Sequence, residues 1–305
     1  MWIAKPLKAL SSDEAFFFQQ LSSSKEVPLS QTSIWGGAIE ATGVEVYVAF
    51  ETEKLIGGLA YFFDGQMECI NGPILNWSSD SINEELATFV YALTKARMGT
   101  TKVFLKPRWL KDDEVNFSSY LKFPIHSFED SATKILSLSK DMDVKDYLGS
   151  KIRHELTRVA KYENEIKFTE NSIENFYQGL KKKYDVDKTY LPDLSWFKAL
   201  KNYKIFSAKL LDQIICEIFV IKHQTTATYL FAYEDRVDSA PNISLNLFLQ
   251  NKILEWCQSE GLNSYDLGGY KENINSEDDY WGVKVFKDKF PGEIKRFTSP
   301  VFIFE

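Results

Sequence analysis

Histidine and cysteine are scarce in this chain of 305 residues. The three histidines are His126, His154 and His223, and the three cysteines are Cys69, Cys216 and Cys257. None stands at metal-ligand spacing from another, so a His/Cys metal site is not expected. The same scatter leaves no motif context for a Ser/His/Asp or Cys/His triad. An odd, sparse cysteine count without an export signal points to reduced thiols and a cytoplasmic location. No apolar run approaches the ~18 residues that span a membrane. The opening MWIAKPLKAL holds no signal-peptide core. Glycine is absent from the places that would mark a Gly-x-Ser-x-Gly elbow, a Walker loop or a dinucleotide fingerprint.

What is present suits a globular chain with substantial cores: 44% hydrophobic and 15% aromatic residues. The length fits two domains of about 150 residues, expected here as 1–144 and 145–305. The net charge of −7 is unevenly spread. Residues 1–144 carry 13 Lys and Arg against 19 Asp and Glu, and 210–305 carry 9 against 15. Residues 145–209 reverse the balance, 14 against 9. Contact with a polyanion is therefore expected in that middle stretch; the plainer reading is a solvated helical face.

Along the chain, Ser11 or Ser12 followed by Asp13-Glu14 predicts a helix to about Leu21. A loop carries Gln31 and Trp35. Strands are expected at Val46–Phe50, Leu55–Phe63 and Met67–Asn71, with Asp64-Gly65 as a hairpin turn. A helix follows over Asn83–Arg97 and a strand over Thr101–Lys106. The order then returns: helices at Lys145–Lys161 and Ile173–Lys183, strands at Lys204–Leu211, Gln213–Lys222 and Thr226–Glu234. Leu245, Leu249, Ile253 and Trp256 recur at helical period, Gly261 stops that helix, and Ser264–Leu267 is a short strand. Corresponding strands begin at Val46 and Lys204 and at Thr101 and Asn263. The chain reads as a duplicated α+β unit with a mixed sheet.

The last of these stretches resembles the Fem-type aminoacyltransferases. The resemblance rests on Leu249-Gln250 with Glu255-Trp256, on Tyr265-Asp266-Leu267-Gly268-Gly269, and on Gly282 with Phe286-Lys287 and Phe290. Gln31 with Trp35 and Gly72-Pro73-Ile74-Leu75 resemble further family segments nearer the start. The resemblance implies two tandem acetyltransferase-like (GNAT) domains, each with a largely antiparallel sheet flanked by helices. It implies transfer of an amino acid from aminoacyl-tRNA to an amine acceptor such as a peptidoglycan precursor peptide, without a cofactor.

Such a transfer is attack of an amine on an activated ester, so the protein must align two substrates and stabilise an oxyanion. The resemblance gives the second task to Lys287. Asp266, at the end of a strand, is a candidate for orienting the amine or accepting its proton; an Asx-turn role is the structural alternative. Gln31, Trp35, Tyr233, Asn246, Gly268, Gly269, Tyr270 and Phe286 are candidates for substrate binding. Arg153, Arg158, Lys182 and Lys183 are candidates for an acceptor diphosphate. Two alternatives stand beside this reading: an acyl-CoA-dependent N-acyltransferase, and a non-catalytic binding protein on the same fold. The first would usually place a glycine-rich amide cradle before the central helix, where this chain has Ala240-Pro241-Asn242-Ile243-Ser244.

Overall fold

The computed structural model describes residues 2–23, 27–114, 121–139, 141, 143–169, 171–187 and 191–305. In chain order the first elements are β1 (Trp2–Pro6), α1 (Ser12–Ser22), α2 (Ser33–Glu40), β2 (Glu45–Glu51), β3 (Ile56–Phe63), β4 (Gln66–Ile70), α3 (Ile82–Ala96), β5 (Lys102–Lys106) and β6 (Trp109–Leu110). Next come β7 (Ser127–Ser137), α4 (Ser150–Val159), β8 (Ile166–Thr169), α5 (Ile173–Asp187) and α6 (Leu194–Ala199). The last are β9 (Tyr203–Leu210), β10 (Ile214–His223), β11 (Thr226–Arg236), α7 (Leu245–Ser259), β12 (Ser264–Gly269), α8 (Trp281–Lys287) and β13 (Glu293–Phe304).

These elements form two compact units. The first comprises Met1–Ser131, Ser195–Leu200 and Arg296–Glu305, and the second Ala132–Leu194 and Lys201–Lys295. The division differs from the expected one after Val144. It falls within β7; Arg296–Glu305 returns to the first unit through the pairing of β13 with β5 and β6, and Ser195–Leu200 returns with Trp196 against Trp35.

In the first unit, β1 to β4 form an antiparallel meander. The α3 crossover brings β5 in parallel to β4, and β13 closes the far side antiparallel to β5. Asp64 and Gly65 both have positive φ, 48° and 77°, as a tight hairpin turn requires. Ser11 caps α1 with a reciprocal Glu14 bond, which satisfies donors that the first turn leaves open. Leu86, Phe89 and Leu93 of α3 are fully buried on the sheet with Met67, Trp109 and Phe302.

The second unit repeats the plan. Strands β8 to β11 are antiparallel, α7 crosses over, and β12 joins β11 in parallel. β7 pairs antiparallel with β12 in the place that β13 takes beside β5. Leu245, Leu249 and Ile253 of α7 are fully buried. Trp256 is half-buried against Phe206, ring centroids 5.5 Å apart. Gly261 follows the helix with φ 66° and its amide on the Gln258 carbonyl. The mixed, largely antiparallel sheets with flanking helices are those of tandem acetyltransferase-like units.

Several elements depart from the expectation. β1, α2, β7, β8, α6 and β13 carry too little periodic signal in the sequence to be read from it. The helix expected over Lys145–Lys161 is broken: a 3₁₀ turn at Val144–Tyr147 precedes α4. Gly149 stands at the break because a Cβ there would lie 2.5 Å from the Lys289 carbonyl. Among the described residues no helix is long and apolar enough to cross a membrane.

Candidate active site

The second unit gathers its chemistry where β11 and β12 stop pairing. Their parallel register ends at Thr228 and Asp266. Gly268 follows in the left-handed region, φ 77°, and a Cβ on it would sit 3.1 Å from the Tyr229 carbonyl and 3.9 Å from Lys287 Nζ. Only glycine meets both demands without strain. The turn sends the Gly269 carbonyl toward the end of α8.

Lys287 is the last residue of α8 and is only 3% exposed. Its ammonium donates to the Gly269 carbonyl and to the Tyr280 hydroxyl, the latter at 3.2 Å. The Tyr280 hydroxyl donates to that same carbonyl. Burial pulls the Lys287 pKa down to about 8, against an opposing field from the Asp266 carboxylate. A desolvated ammonium interacts far more strongly with a nearby negative charge than one in water. Beside Lys287 in α8, Phe286 lies half-buried with its ring 6.4 Å from Tyr229 and 5.4 Å from Phe290.

Asp266 Oδ1 accepts from the Thr133 hydroxyl and from the Gly268 amide at 2.8 Å. The second bond is an Asx-type turn, so one oxygen of Asp266 does structural work. Asn246, on the first turn of α7, lies beside the Tyr229 hydroxyl. Its Oδ1 is buried and bonds to no described residue. Burial raises the pKa values of Tyr229 and Tyr280, and the neighbouring Tyr184 of α5 adds to both. Tyr184, Tyr229, Tyr280 and Thr133 were not predicted as site residues, since none belongs to a motif or a helical period.

Other predicted residues have different partners. Tyr233 is buried and its hydroxyl donates to Glu217 at 2.8 Å. Its ring fills the space above Gly179, where a Cβ would come within 2.2 Å. Tyr270 is also buried, with its hydroxyl on Asp288 and its ring 5.6 Å from Lys134 Nζ and 5.7 Å from Lys284 Nζ. Both tyrosines are engaged in packing and internal networks.

Gln31 and Trp35 belong to the first unit. Gln31 is buried; its amide donates to the Leu59 and Ile70 carbonyls at 3.3 and 2.6 Å and accepts from the Leu59 amide at 2.7 Å. β3 and β4 pair only from Tyr61/Glu68 to Phe63/Gln66. Gln31 therefore replaces the ladder bonds lost where these strands part. Trp35 is half-buried with its ring edge-on to Trp196 at 5.1 Å.

The basic candidates are largely occupied. Arg153 bonds the Leu148 and Lys145 carbonyls, and Arg158 bonds Glu155 and the Asn242 carbonyl. Lys182 pairs with Asp235 at 2.8 Å on the surface. Ser150, Lys151, His154, Glu155 and Lys289 line an open cavity at the start of α4. Among the described residues no group of three His, Cys, Asp or Glu is placed to hold a metal.

The loop before α7 holds no glycine, and two arginines bond its carbonyls. Arg236 takes the carbonyls of Pro241 and Ile243, and Arg158 that of Asn242. The Ile243 amide is spent on Pro241, and Ser244 caps the Leu247 amide.

The duplicated acetyltransferase-like fold and the family match below make this a transferase of the acyltransferase type. The FemAB family model matches residues 120–300, more than half of the chain, and the chain belongs to the FemAB family. A crystal structure of FemX superposes with a TM-score of 0.73 at 12% identity, over 98% of this chain and 96% of that one. The C-terminal domain of a putative lysylphosphatidylglycerol synthetase from Agrobacterium fabrum gives 0.58 at 12% identity, covering 95% and 92%. A tandem GNAT protein from the clavulanic acid biosynthesis pathway gives 0.53 at 8% identity, covering 98% of each. At these identities the likeness establishes the fold. A comparison with curated proteins by sequence finds no match.

Proposed function

We propose that this Fem-type transferase moves an amino acid from aminoacyl-tRNA to an amine of a peptidoglycan precursor peptide, forming an amide, in the cytoplasm. The observation that carries the reading is the Lys287 ammonium: buried, bonded inward on two sides, and set beside a carboxylate at the end of a strand. The amine nitrogen attacks the ester carbonyl, and Lys287 donates to the oxyanion that forms. Asp266 takes the proton released by the amine, through the oxygen not used in the turn. The ester C–O bond then breaks, and the ribose oxygen of the tRNA leaves as a hydroxyl by taking that proton back from Asp266. Asn246 offers its unbonded Oδ1 to an N–H of the donor. Membership of the FemAB family supports the substrate class, and the exposed Lys151 beside the α4 cavity supports a contact with the tRNA polyanion. The loop before α7 has no glycine for an amide cradle, which weighs against acyl-CoA as the donor.

The test offers tRNA charged with labelled amino acids, and separately acyl-CoA, to a pool of amine acceptors that includes a peptidoglycan precursor. Label is expected in an RNase-resistant amide product from tRNA, with at least about a tenfold lower rate in Lys287→Ala, equivalent to about 1.4 kcal/mol of barrier. Transfer from acyl-CoA alone would overturn the reading.

A further inference from the structure

A lysine ammonium has three N–H donors and a flexible stem of four carbons. As an oxyanion donor it works only if one N–H is held toward the place where charge develops, because preorganisation removes the reorganisation cost. In this protein the other two directions are taken: one by the Gly269 carbonyl and one by the Tyr280 hydroxyl at 3.2 Å. The Tyr280 hydroxyl spends its own proton on the Gly269 carbonyl. It therefore turns lone pairs, not a proton, toward Lys287.

The Tyr280 backbone is itself fixed. Its amide donates to Asp278 Oδ1 at 2.7 Å, and the next amide, of Trp281, donates to the Asp278 carbonyl at 2.9 Å. A further turn at Asn275 holds Asp278, through the Asn275 carbonyl at 3.1 Å. The ring is flanked by two ammonium groups, Lys271 at 5.2 Å and Lys287 at 5.7 Å from its centroid. Tyr280 thus stands on a braced loop, immediately before the helix that carries Lys287.

We propose that Tyr280 is a positioning residue for Lys287: with the Gly269 carbonyl it accepts two of the three ammonium N–H groups and aims the third at the reacting carbonyl. This rests on the reading of Lys287 as the oxyanion donor. The other groups near the ammonium are the Asp266 carboxylate, whose field reaches it from β12, and the Tyr229 carbonyl beneath Gly268. Tyr184 and Tyr229 stand near Tyr280 from α5 and β11.

The test is Tyr280→Phe, which keeps the ring and removes the acceptor. Lysine labelled at Cε would be titrated by NMR in both proteins, with the Lys287 signal identified by its loss in Lys287→Arg. A wild-type midpoint near 8 is expected. In Tyr280→Phe it should fall by about half a pH unit, roughly threefold in the protonation equilibrium, because an acceptor that favours the charged form is gone. In the transfer assay kcat should fall about tenfold while KM changes less than about twofold. A midpoint that is unchanged or raised in Tyr280→Phe overturns the proposal, whatever happens to activity. A lowered midpoint in a protein that transfers nothing from tRNA would sink the assigned reaction and leave the Lys287–Tyr280 geometry standing.

Discussion

Thr133 and Asp266 are joined across β7 and β12: the threonine hydroxyl donates to Asp266 Oδ1, the oxygen that also receives the Gly268 amide. No described residue bonds the other oxygen. One half of the carboxylate thus serves the turn, and the other is the half to which we assign the proton transfer. Asp266→Asn retains an oxygen for Thr133 and Gly268 while removing the negative charge. Transfer should fall at least about tenfold, in the range of a lost general base, with a Tm within about 2 °C of wild type. Wild-type transfer by this variant would reduce Asp266 to a turn residue.

Lys287 sets stability against function. Its folded pKa of about 8 lies below the ordinary lysine value of 10.5. Between these values the unfolded chain binds a proton that the folded chain has released, so stability rises with pH across that window. Below about pH 8 the buried charge is a constant cost of roughly 3 kcal/mol. Lys287→Met removes the charge but leaves the Gly269 carbonyl with one donor fewer. A net gain of about 1–2 kcal/mol is expected at neutral pH. Urea unfolding at several pH values checks this: the wild type should gain on the variant as pH rises from about 8 to 10. Transfer by the variant should be lost.

Much of this arrangement is legible in the sequence, and the reason is local periodicity. The α7 face follows from Leu245, Leu249 and Ile253, and the duplication from strand starts offset by nearly constant spacing. The sheets' closing strands, β7 and β13, are not legible, because each pairs with a strand remote in sequence, as Phe302 does with Leu105. Gln31 marks a family motif in sequence, yet its partners are decided by where β3 and β4 part, a tertiary fact. Tyr280 lies in a polar loop with no period, so only the folded chain brings its hydroxyl to Lys287.

Gln31 should then behave as a core residue. Gln31→Ala would strand the Leu59 amide and two carbonyls in a buried space and leave a void beside Gly58 and Gly72, both of which approach its side chain closely. An unmet buried polar group costs about 1–3 kcal/mol and the cavity adds to it. A loss of about 2–4 kcal/mol in chemical unfolding is expected. A Gln31 that bound substrate would instead raise KM and leave stability nearly unchanged.

Gly268 couples backbone shape to the ammonium. Alanine there must adopt φ 77° and press its Cβ to 3.1 Å from the Tyr229 carbonyl. The backbone strain costs about 1 kcal/mol, and the contact can be relieved only by moving β12 away from β11. That motion carries the Gly269 carbonyl with it, and the carbonyl is what anchors both Lys287 and Tyr280. Gly268→Ala should therefore lose about 1–2 kcal/mol in unfolding free energy, and kcat should fall by about 10²-fold, the scale of a misplaced catalytic group. Tyr233→Phe separates this effect from general loosening of the unit. It removes one hydrogen bond to buried Glu217 and should cost a similar 1–2 kcal/mol, on the order of one bond to a charged partner, with kcat unchanged. If both variants lost kcat in proportion to stability, the Gly268 turn would have no special hold on Lys287.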